Sequence, residues 1–379
     1  MLIKNCNIIF LDKIEKGSVL IENGKIKEIN PTTEVSNEII DGEGLYLSPG
    51  FIDVHIHGAA GYDTMDGTYE AINEISKAIV KHGTTAFTPT TMTVSIDAIR
   101  QSMKVIKEAK ENGTDGAIVL GAHLEGPFIS PNAIGAQNPK FLISPTIENY
   151  DAMVGEANDA VVSITIAPEV PGAKELIKYL SAKGIVCSMG HTKATYAEAM
   201  EGIKCGCCHS THLFNAMTPF AHREPGVVGA IFDSEITTET ISDGIHISYP
   251  SLRIAYNQKT TDKVLLVTDA MMACSMPDGM YSLGGQDVVV SDGAARLTTG
   301  SLAGSVLTLD KAIRNVYKNV GYPLYEVVKM ATFNGARHCK VETKKGLIKE
   351  GFDADLVLFD ENINVKKVIV SGKVVHSEK

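Results

Sequence analysis

The chain contains no run of about 18 consecutive apolar residues, the length a membrane-spanning helix needs. Its first residues, Met1-Leu-Ile-Lys-Asn-Cys-Asn7, show no basic stretch followed by a long apolar one, so they do not read as a signal peptide. Positive charge is in deficit: 35 Lys and Arg face 45 Asp and Glu, a formal net charge of −10. Nonspecific binding to nucleic acid is therefore not expected, and an anionic ligand would need a local basic pocket to offset the field. Cysteine is sparse, seven in all, odd in number and scattered, which suits a reducing cytoplasm better than a disulfide scaffold. No repeat of fixed period and no low-complexity tract occurs.

What is present is an ordinary globular composition, 44% hydrophobic and 21% charged over 379 residues. That length can bury one large α/β domain with a smaller one beside it. The pattern predicts strands at Phe51–His57, Thr85–Thr91, Ala117–Glu125, Val161–Ala167, Ile185–Gly190, Cys207–Leu213, Thr238–Ile245 and Val264–Asp269. Helical patterns lie between most of them, as at Tyr69–His82, Ile96–Asn112, Lys174–Lys183 and Thr195–Gly202. Eight strands alternating with helices point to a (β/α)8 barrel, which needs about 250 residues. A doubly wound open sheet is the rival, but it would normally begin with a Gly-rich phosphate loop, and none is evident.

The two ends of the chain have a different character. Leu2–Phe10 and Gly17–Ile29 are β-like, with Asn23-Gly24 as a hairpin signal, and so are Asp355–Phe359 and Val365–Val370. We expect residues 1–48 and 346–379 to pair as a small discontinuous β-sandwich domain, leaving 49–345 for the barrel. The segment Pro277–Gly304 breaks the alternation, with a hairpin-like pair, Asp287–Val290 and Ala295–Thr298, around Asp292-Gly293. It reads as a loop covering the site.

His55 and His57 stand two residues apart on the first predicted strand. Residues i and i+2 of a strand share a face, so two imidazoles would point one way, ready to chelate a transition metal. Glu125, His191, His212 and Asp269 fall where strands 3, 5, 6 and 8 are expected to end. In a barrel, active sites lie at those C-terminal ends. Any one of these residues has a bland reading as a satisfied core or capping group. Their recurrence at separate strand ends is what argues for a shared metal site. A carboxylate such as Glu125, in His123-Leu-Glu-Gly-Pro-Phe128, is costly to bury unless paired or metal-bound. His123 shares the face of Glu125 but deeper, as a supporting or structural residue.

Cys205, Cys207 and Cys208 precede His209 and His212, but a structural zinc site needs two spaced pairs and no partner pair is clear. These cysteines read as small buried residues on strand 6, and His209 as structural with them. His82, His338 and His376 lie in helical or terminal contexts and are given no role. Arg223, in His222-Arg-Glu-Pro225, offers a fork suited to phosphate oxygens or, equally, a surface salt bridge.

Pro49-Gly-Phe-Ile-Asp-Val-His-Ile-His-Gly58 resembles the first-strand motif of the amidohydrolase superfamily. His123-Leu-Glu-Gly-Pro-Phe128, Gly190-His-Thr192, Thr211-His-Leu-Phe-Asn-Ala-Met217 and Thr268-Asp-Ala270 are similar, more narrowly, to the N-acetylglucosamine-6-phosphate deacetylases. The likeness runs over nearly the whole chain, including the split β domain. It implies a metal-dependent hydrolase that releases acetate from N-acetylglucosamine 6-phosphate; cysteine usage, charge and hydropathy predict a cytoplasmic protein with no nucleic-acid or membrane partner. Glu125, His191 and His212 would hold the catalytic divalent ion, zinc or iron, with manganese or cobalt also suited. Asp269 would be the catalytic acid/base. The first-strand pair varies in the family, and because this chain keeps both His55 and His57, the resemblance allows a second ion there. The family's sugar-phosphate contacts fall on Ala136, Gln137, Asn215, Ala216, Arg223, His246, Leu302, Ala303 and Gly304. His246 is expected at the end of strand 7. Arg223 would reach phosphate across a homodimer interface.

Gln137 stands where many relatives carry a histidine thought to polarise the acetyl carbonyl; a glutamine amide can donate a hydrogen bond there but carries no charge. Two other readings remain. Another deacylase or a cyclic amidase of the same superfamily is one, although cyclic amidases often carry a carboxylated lysine on strand 4, where this chain has Ala167-Pro-Glu169. A catalytically inactive scaffold is the other, and the full ligand set argues against it.

Overall fold

The computed structural model describes residues 1–32, 36 and 38–378. Eight parallel strands form a nearly closed barrel: Phe51–Ile56, Thr84–Thr91, Ala122–Glu125, Val161–Ile166, Val186–Met189, Cys207–Ser210, Thr237–Ile241 and Val264–Val267, numbered barrel strands 1 to 8 below. Strands 1 and 8 close the ring through a bridge between Ile56 and Ala270, and the Asp269 amide donates to the His55 carbonyl at 2.9 Å.

The crossover helices form because their apolar residues recur at helical spacing and their first turns are capped. In Ile96–Asn112, Ser95 Oγ accepts from the Ala98 amide, and Ile99, Met103 and Ile106 face the core. Tyr196–Cys205 starts with a capping box between Thr195 and Glu198. No helix among the described residues is long and apolar enough to cross a membrane.

The barrel interior is polar. Its lumen holds hydroxyl and imidazole groups in place of the usual bulky aliphatic layers. Thr211 Oγ1 lies 2.8 Å from Thr165 Oγ1 and 2.6 Å from Ser188 Oγ, while His123 Nε2 lies 2.8 Å from Thr165 Oγ1. The hydroxyls satisfy one another and form a floor under the mouth, while His123 Nδ1 is buried without a partner. The aliphatic residues of the same strands face the helices, so the strands read as continuous buried runs.

Several boundaries differ from the sequence reading. The expected strand Ala117–Glu125 is broken into Ile118–Val119 and Ala122–Glu125, because Gly121 adopts φ 142° between them. Strand 7 ends at Ile241 rather than Ile245, strand 6 at Ser210 and strand 8 at Val267. Cys205 belongs to the preceding helix rather than strand 6, and Cys208 is exposed rather than buried. The covering segment has three antiparallel strands, Gly279–Leu283, Gln286–Ser291 and Ala294–Leu297, one more than its hairpin signal suggested.

The chain ends do pair. Leu2–Ile9, Ile14–Glu22, Lys25–Ile29, Ile39–Asp41 and Tyr46–Pro49 join Leu356–Phe359, Val365–Val370 and Lys373–Ser377 in one eight-stranded sheet. Pairing of Leu356–Phe359 with Tyr46–Pro49 unites the two ends directly. Ile3, Ile8, Val19, Leu47, Leu356 and Leu358 make its own apolar core.

Candidate active site

The candidate ligands converge on Glu125, at the end of barrel strand 3. Its Oε1 lies 3.1 Å from His191 Nε2 and 3.0 Å from His212 Nε2. Its Oε2 lies 3.2 Å from His57 Nε2, and His55 Nε2 is 3.5 Å from Oε1. Asp269 Oδ1 completes the ring, 3.2 Å from His57 Nε2 and 3.5 Å from His55 Nε2. Two overlapping groups result, His55–His57–Glu125 and Glu125–His191–His212, each with ligand atoms within 4.8 Å of one another.

Chain geometry explains the convergence. His55 lies on extended strand, with His57 immediately after it, so alternation aims both inward. His191, His212 and Asp269 lie just beyond their strands at φ 46°, 28° and 49°, left-handed conformations uncommon for residues with a side chain. Such strain collects at functional sites and persists only where surrounding contacts fix it. Gly135, at φ 56°, packs beside His191, where a Cβ would come within 3.1 Å of the imidazole.

The donor set fits a divalent metal. His57 Nδ1 faces the Thr90 carbonyl at 3.2 Å and His191 Nδ1 the Ala133 carbonyl at 3.0 Å. A carbonyl accepts only, so each Nδ1 carries the proton and each Nε2 offers a lone pair inward. The Nε2 atoms of His191 and His212 lie 3.0 Å apart, and His55 Nε2 is buried with no hydrogen-bond partner. Converging lone pairs beside a carboxylate repel unless a proton or cation lies among them, and imidazole nitrogen with carboxylate oxygen suits zinc or a similar ion. The surrounding acids also draw positive charge to the site, whether as a proton or as a metal ion. Burial opposes charge on His55, but Glu239, Asp269 and Glu125 outweigh it and hold the imidazole well above its ordinary pKa. For His57 the same contest against burial, won by Asp269 and Glu125, ends at about 9. His123 is pushed down to about 3 by burial and by neighbouring His55, so it stays neutral.

Glu239 was not found by sequence reasoning. It lies on barrel strand 7, buried, with Oε2 2.9 Å from His55 Nδ1 and Oε1 3.2 Å from His209 Nε2. The available signal was an acid inside Thr237-Thr-Glu-Thr-Ile241, a run otherwise free of charge. His209 therefore belongs to the support of the site, and His338, given no role above, is buried with its ring 4.4 Å from that of His209. Asp53 was also missed. Its carboxylate accepts from Thr268 Oγ1 at 2.6 Å, tying strand 1 to strand 8, and burial raises its pKa to about 7 against those hydrogen bonds.

Above the ligands lies a cavity of about 670 Å³, bounded in part by Ala136, Asn215, Ala216, His246, Leu302 and Gly304. His246 is not at a strand end. It sits in the loop after strand 7, where Asp243 Oδ2 accepts from its Nδ1 at 2.7 Å and leaves Nε2 free to face a ligand. Two expected contacts lie outside the cavity lining. Ala303 is buried in the apolar cluster under the cover with Met92, Met271 and Val288. Arg223 is exposed, its Nη1 2.8 Å from His222 Nε2, because the segment carrying it runs over the surface. Gln137 lines the cavity, yet its amide is already engaged. Nε2 donates to Glu125 Oε2 at 2.6 Å and Oε1 accepts from the Thr93 amide at 2.7 Å, so it orients the ligand carboxylate.

The model of the amidohydrolase family matches residues 46–375. An N-acetylglucosamine-6-phosphate deacetylase of Lysinibacillus sphaericus is 38% identical over 377 residues, 99% of this chain and 97% of that one. An N-acetylgalactosamine-6-phosphate deacetylase of Escherichia coli O157:H7 is 32% identical, with 95% of each chain covered. The crystal structure of N-acetylglucosamine-6-phosphate deacetylase from Pasteurella multocida superposes with a TM-score of 0.94 at 31% identity, covering 100% of this chain and 99% of that one.

Proposed function

The chain belongs to the amidohydrolase family, and from that premise we propose that it hydrolyses the acetamide of N-acetyl-D-glucosamine 6-phosphate to D-glucosamine 6-phosphate and acetate, in amino-sugar catabolism. The observation that carries the reading is Glu125, shared between two histidine groups at the floor of a sugar-sized cavity. We assign residues 49–345 to the catalytic barrel and 1–48 with 346–379 to the terminal domain.

In this reading Glu125, His191 and His212 would hold the catalytic ion, and His55 and His57 with Glu125 would hold a second. Zinc or iron is the favoured metal. A divalent ion bound there lowers the pKa of water from about 15.7 toward 7 and polarises the amide carbonyl. Burial raises the pKa of Asp269, but without metal the charge on His55 and His57 outweighs it and the net shift is downward; a divalent ion held by that pair would act in the same sense, so the carboxylate is ionised. Asp269 takes that proton as water adds to the carbonyl carbon. It returns the proton to nitrogen as the C–N bond breaks, so the neutral amine departs with acetic acid, which keeps water's second proton until it loses it to solvent as acetate. Gln137 holds Glu125 in place through both transfers. His246, fixed by Asp243, meets a sugar hydroxyl or the phosphate.

Arg223 lies away from its own cavity, which supports its assignment to the phosphate of a neighbouring subunit in a homodimer. All seven cysteines are free, in keeping with a reducing cytoplasm. Glu169, after strand 4, binds Thr192 and the Lys193 amide; this is the place where a cyclic amidase would often carry its modified lysine. A second reading concerns the sugar alone: the relative named for the galactosamine substrate favours testing that 4-epimer. Acetate release from the phosphorylated and unphosphorylated sugars tests the proposal. The 6-phosphate of the gluco sugar should be turned over fastest, and equal rates with the unphosphorylated sugar would remove the phosphate assignment.

A further inference from the structure

We infer that Glu239 is a positioning residue of the centre, fixing one imidazole from each of the two histidine groups. Its carboxylate is buried beneath the ligands and makes three contacts. Oε2 lies 2.9 Å from His55 Nδ1 and also accepts the His212 backbone N–H at 3.1 Å, while Oε1 lies 3.2 Å from His209 Nε2. Its own backbone carbonyl accepts the Leu213 N–H at 2.9 Å.

Each contact has a separate consequence. A carboxylate facing His55 Nδ1 keeps the proton on that nitrogen. The lone pair is then on Nε2, which points at Glu125 and Asp269 and has no hydrogen-bond partner. A carboxylate behind a ligating imidazole also raises its basicity. His212 is the most strained of the candidate ligands in its backbone, at φ 28°. Glu239 holds that turn from both sides, through the His212 amide to its side chain and the Leu213 amide to its backbone.

His55, His123 and Glu239 also place ligand atoms within 4.8 Å of one another. A neutral imidazole has one lone pair, and that of His55 faces Glu125 and Asp269. Glu239 thus acts through His55 rather than on an ion of its own. Thr237 Oγ1, 2.6 Å from His209 Nδ1, anchors the far end of the chain of contacts.

The inference rests on the reading that the centre holds metal, and the test separates the two. The full chain is stripped with chelator and titrated with Zn2+ in competition with a chromophoric chelator, as wild type and as Glu239→Gln. Glutamine keeps the size and one acceptor for His55 but loses the charge. Wild type should take up Zn2+, and Glu239→Gln should bind it roughly 10- to 100-fold more weakly, with the metal-free chain folded as in wild type. Unchanged affinity would overturn the inference and leave the metal reading intact. Wild type that takes up no Zn2+ would overturn the metal reading and the inference with it. If Glu239→Gln fails to fold, the imidazole 15N spectrum of Zn-loaded wild type decides. His55 should be protonated at Nδ1 and metal-shifted at Nε2, and the opposite assignment refutes the role of Glu239.

Discussion

In the terminal β domain Ile3, Ile8, Val19, Leu47, Leu356 and Leu358 bury one another, whereas at the barrel mouth Glu125, Asp269, Glu239 and the imidazoles of His55, His57, His191 and His212 are buried together. The first region gains stability from every side chain it buries, about 25 cal/mol per Å² of apolar surface. The second buries groups that water solvates better, and it is held by hydrogen bonds and left-handed turns. It follows that stability and turnover should be separable by position. A change in the mouth should abolish chemistry with little loss of stability. A change in the β domain should do the reverse.

The largest effect expected is at Asp269. Asp269→Asn should lower kcat by about 10³-fold or more while metal content and melting temperature hold, measured by acetate release, elemental analysis and calorimetry. A parallel fall in stability would break the contrast between the regions. Next is Leu358→Ala, which opens a cavity in the terminal core. Urea unfolding should show a loss of about 2 to 5 kcal/mol, with kcat unchanged at a temperature where the variant is folded.

A buried ion pair at the seam, between Lys345 at the end of the barrel segment and two acids of the β domain, sharpens the comparison. Lys345 Nζ lies 2.5 Å from Asp355 Oδ2 and 3.1 Å from Asp353 Oδ2. Lys345→Met should cost about 3 kcal/mol, again without change in kcat. Burial lowers the pKa of Lys345, but Asp355 and Asp353 outweigh it, so its net shift is upward. Burial raises that of Asp353, but Lys25 and Lys345 outweigh it, so its net shift is downward. The Lys345 contribution is therefore complete below its unfolded pKa and is lost only as pH rises through the raised value. The Asp353 contribution is complete above its unfolded pKa and is lost as pH falls through the lowered one. The cost of the variant should be flat from about pH 5 to 9 and shrink outside that window. The smallest effect expected is at Arg223: Arg223→Gln should raise KM for the phosphorylated sugar roughly 10-fold, leaving the unphosphorylated sugar unaffected.

The same contrast governs what could be read from the sequence. The barrel, the pairing of the termini and the convergence of His55, His57, Glu125, His191, His212 and Asp269 were legible because strand periodicity and strand ends leave a one-dimensional trace. Glu239 left almost none. It is one acid on an interior strand, and its importance comes from neighbours contributed by strands 1 and 6, far away in sequence. The expected strands 6 and 8 run past the observed ends because left-handed turns at His212 and Asp269 aim those side chains inward, while strand 7 stops at Ile241, short of Gly244 at φ 80°. His246, expected at the end of strand 7, lies instead in the loop that follows it, held by Asp243. The engagement of Gln137 with Glu125 could not be anticipated from a motif, because it depends on which way a buried amide turns.

The most direct test of the shared-carboxylate centre is metal content measured together with turnover. The purified chain should carry one or two divalent ions, lose acetate release from N-acetylglucosamine 6-phosphate when stripped, and recover it on adding Zn2+ or Fe2+; Glu125→Ala should hold neither ion. A stripped chain, free of metal by elemental analysis yet still releasing acetate at the original rate, would contradict the account.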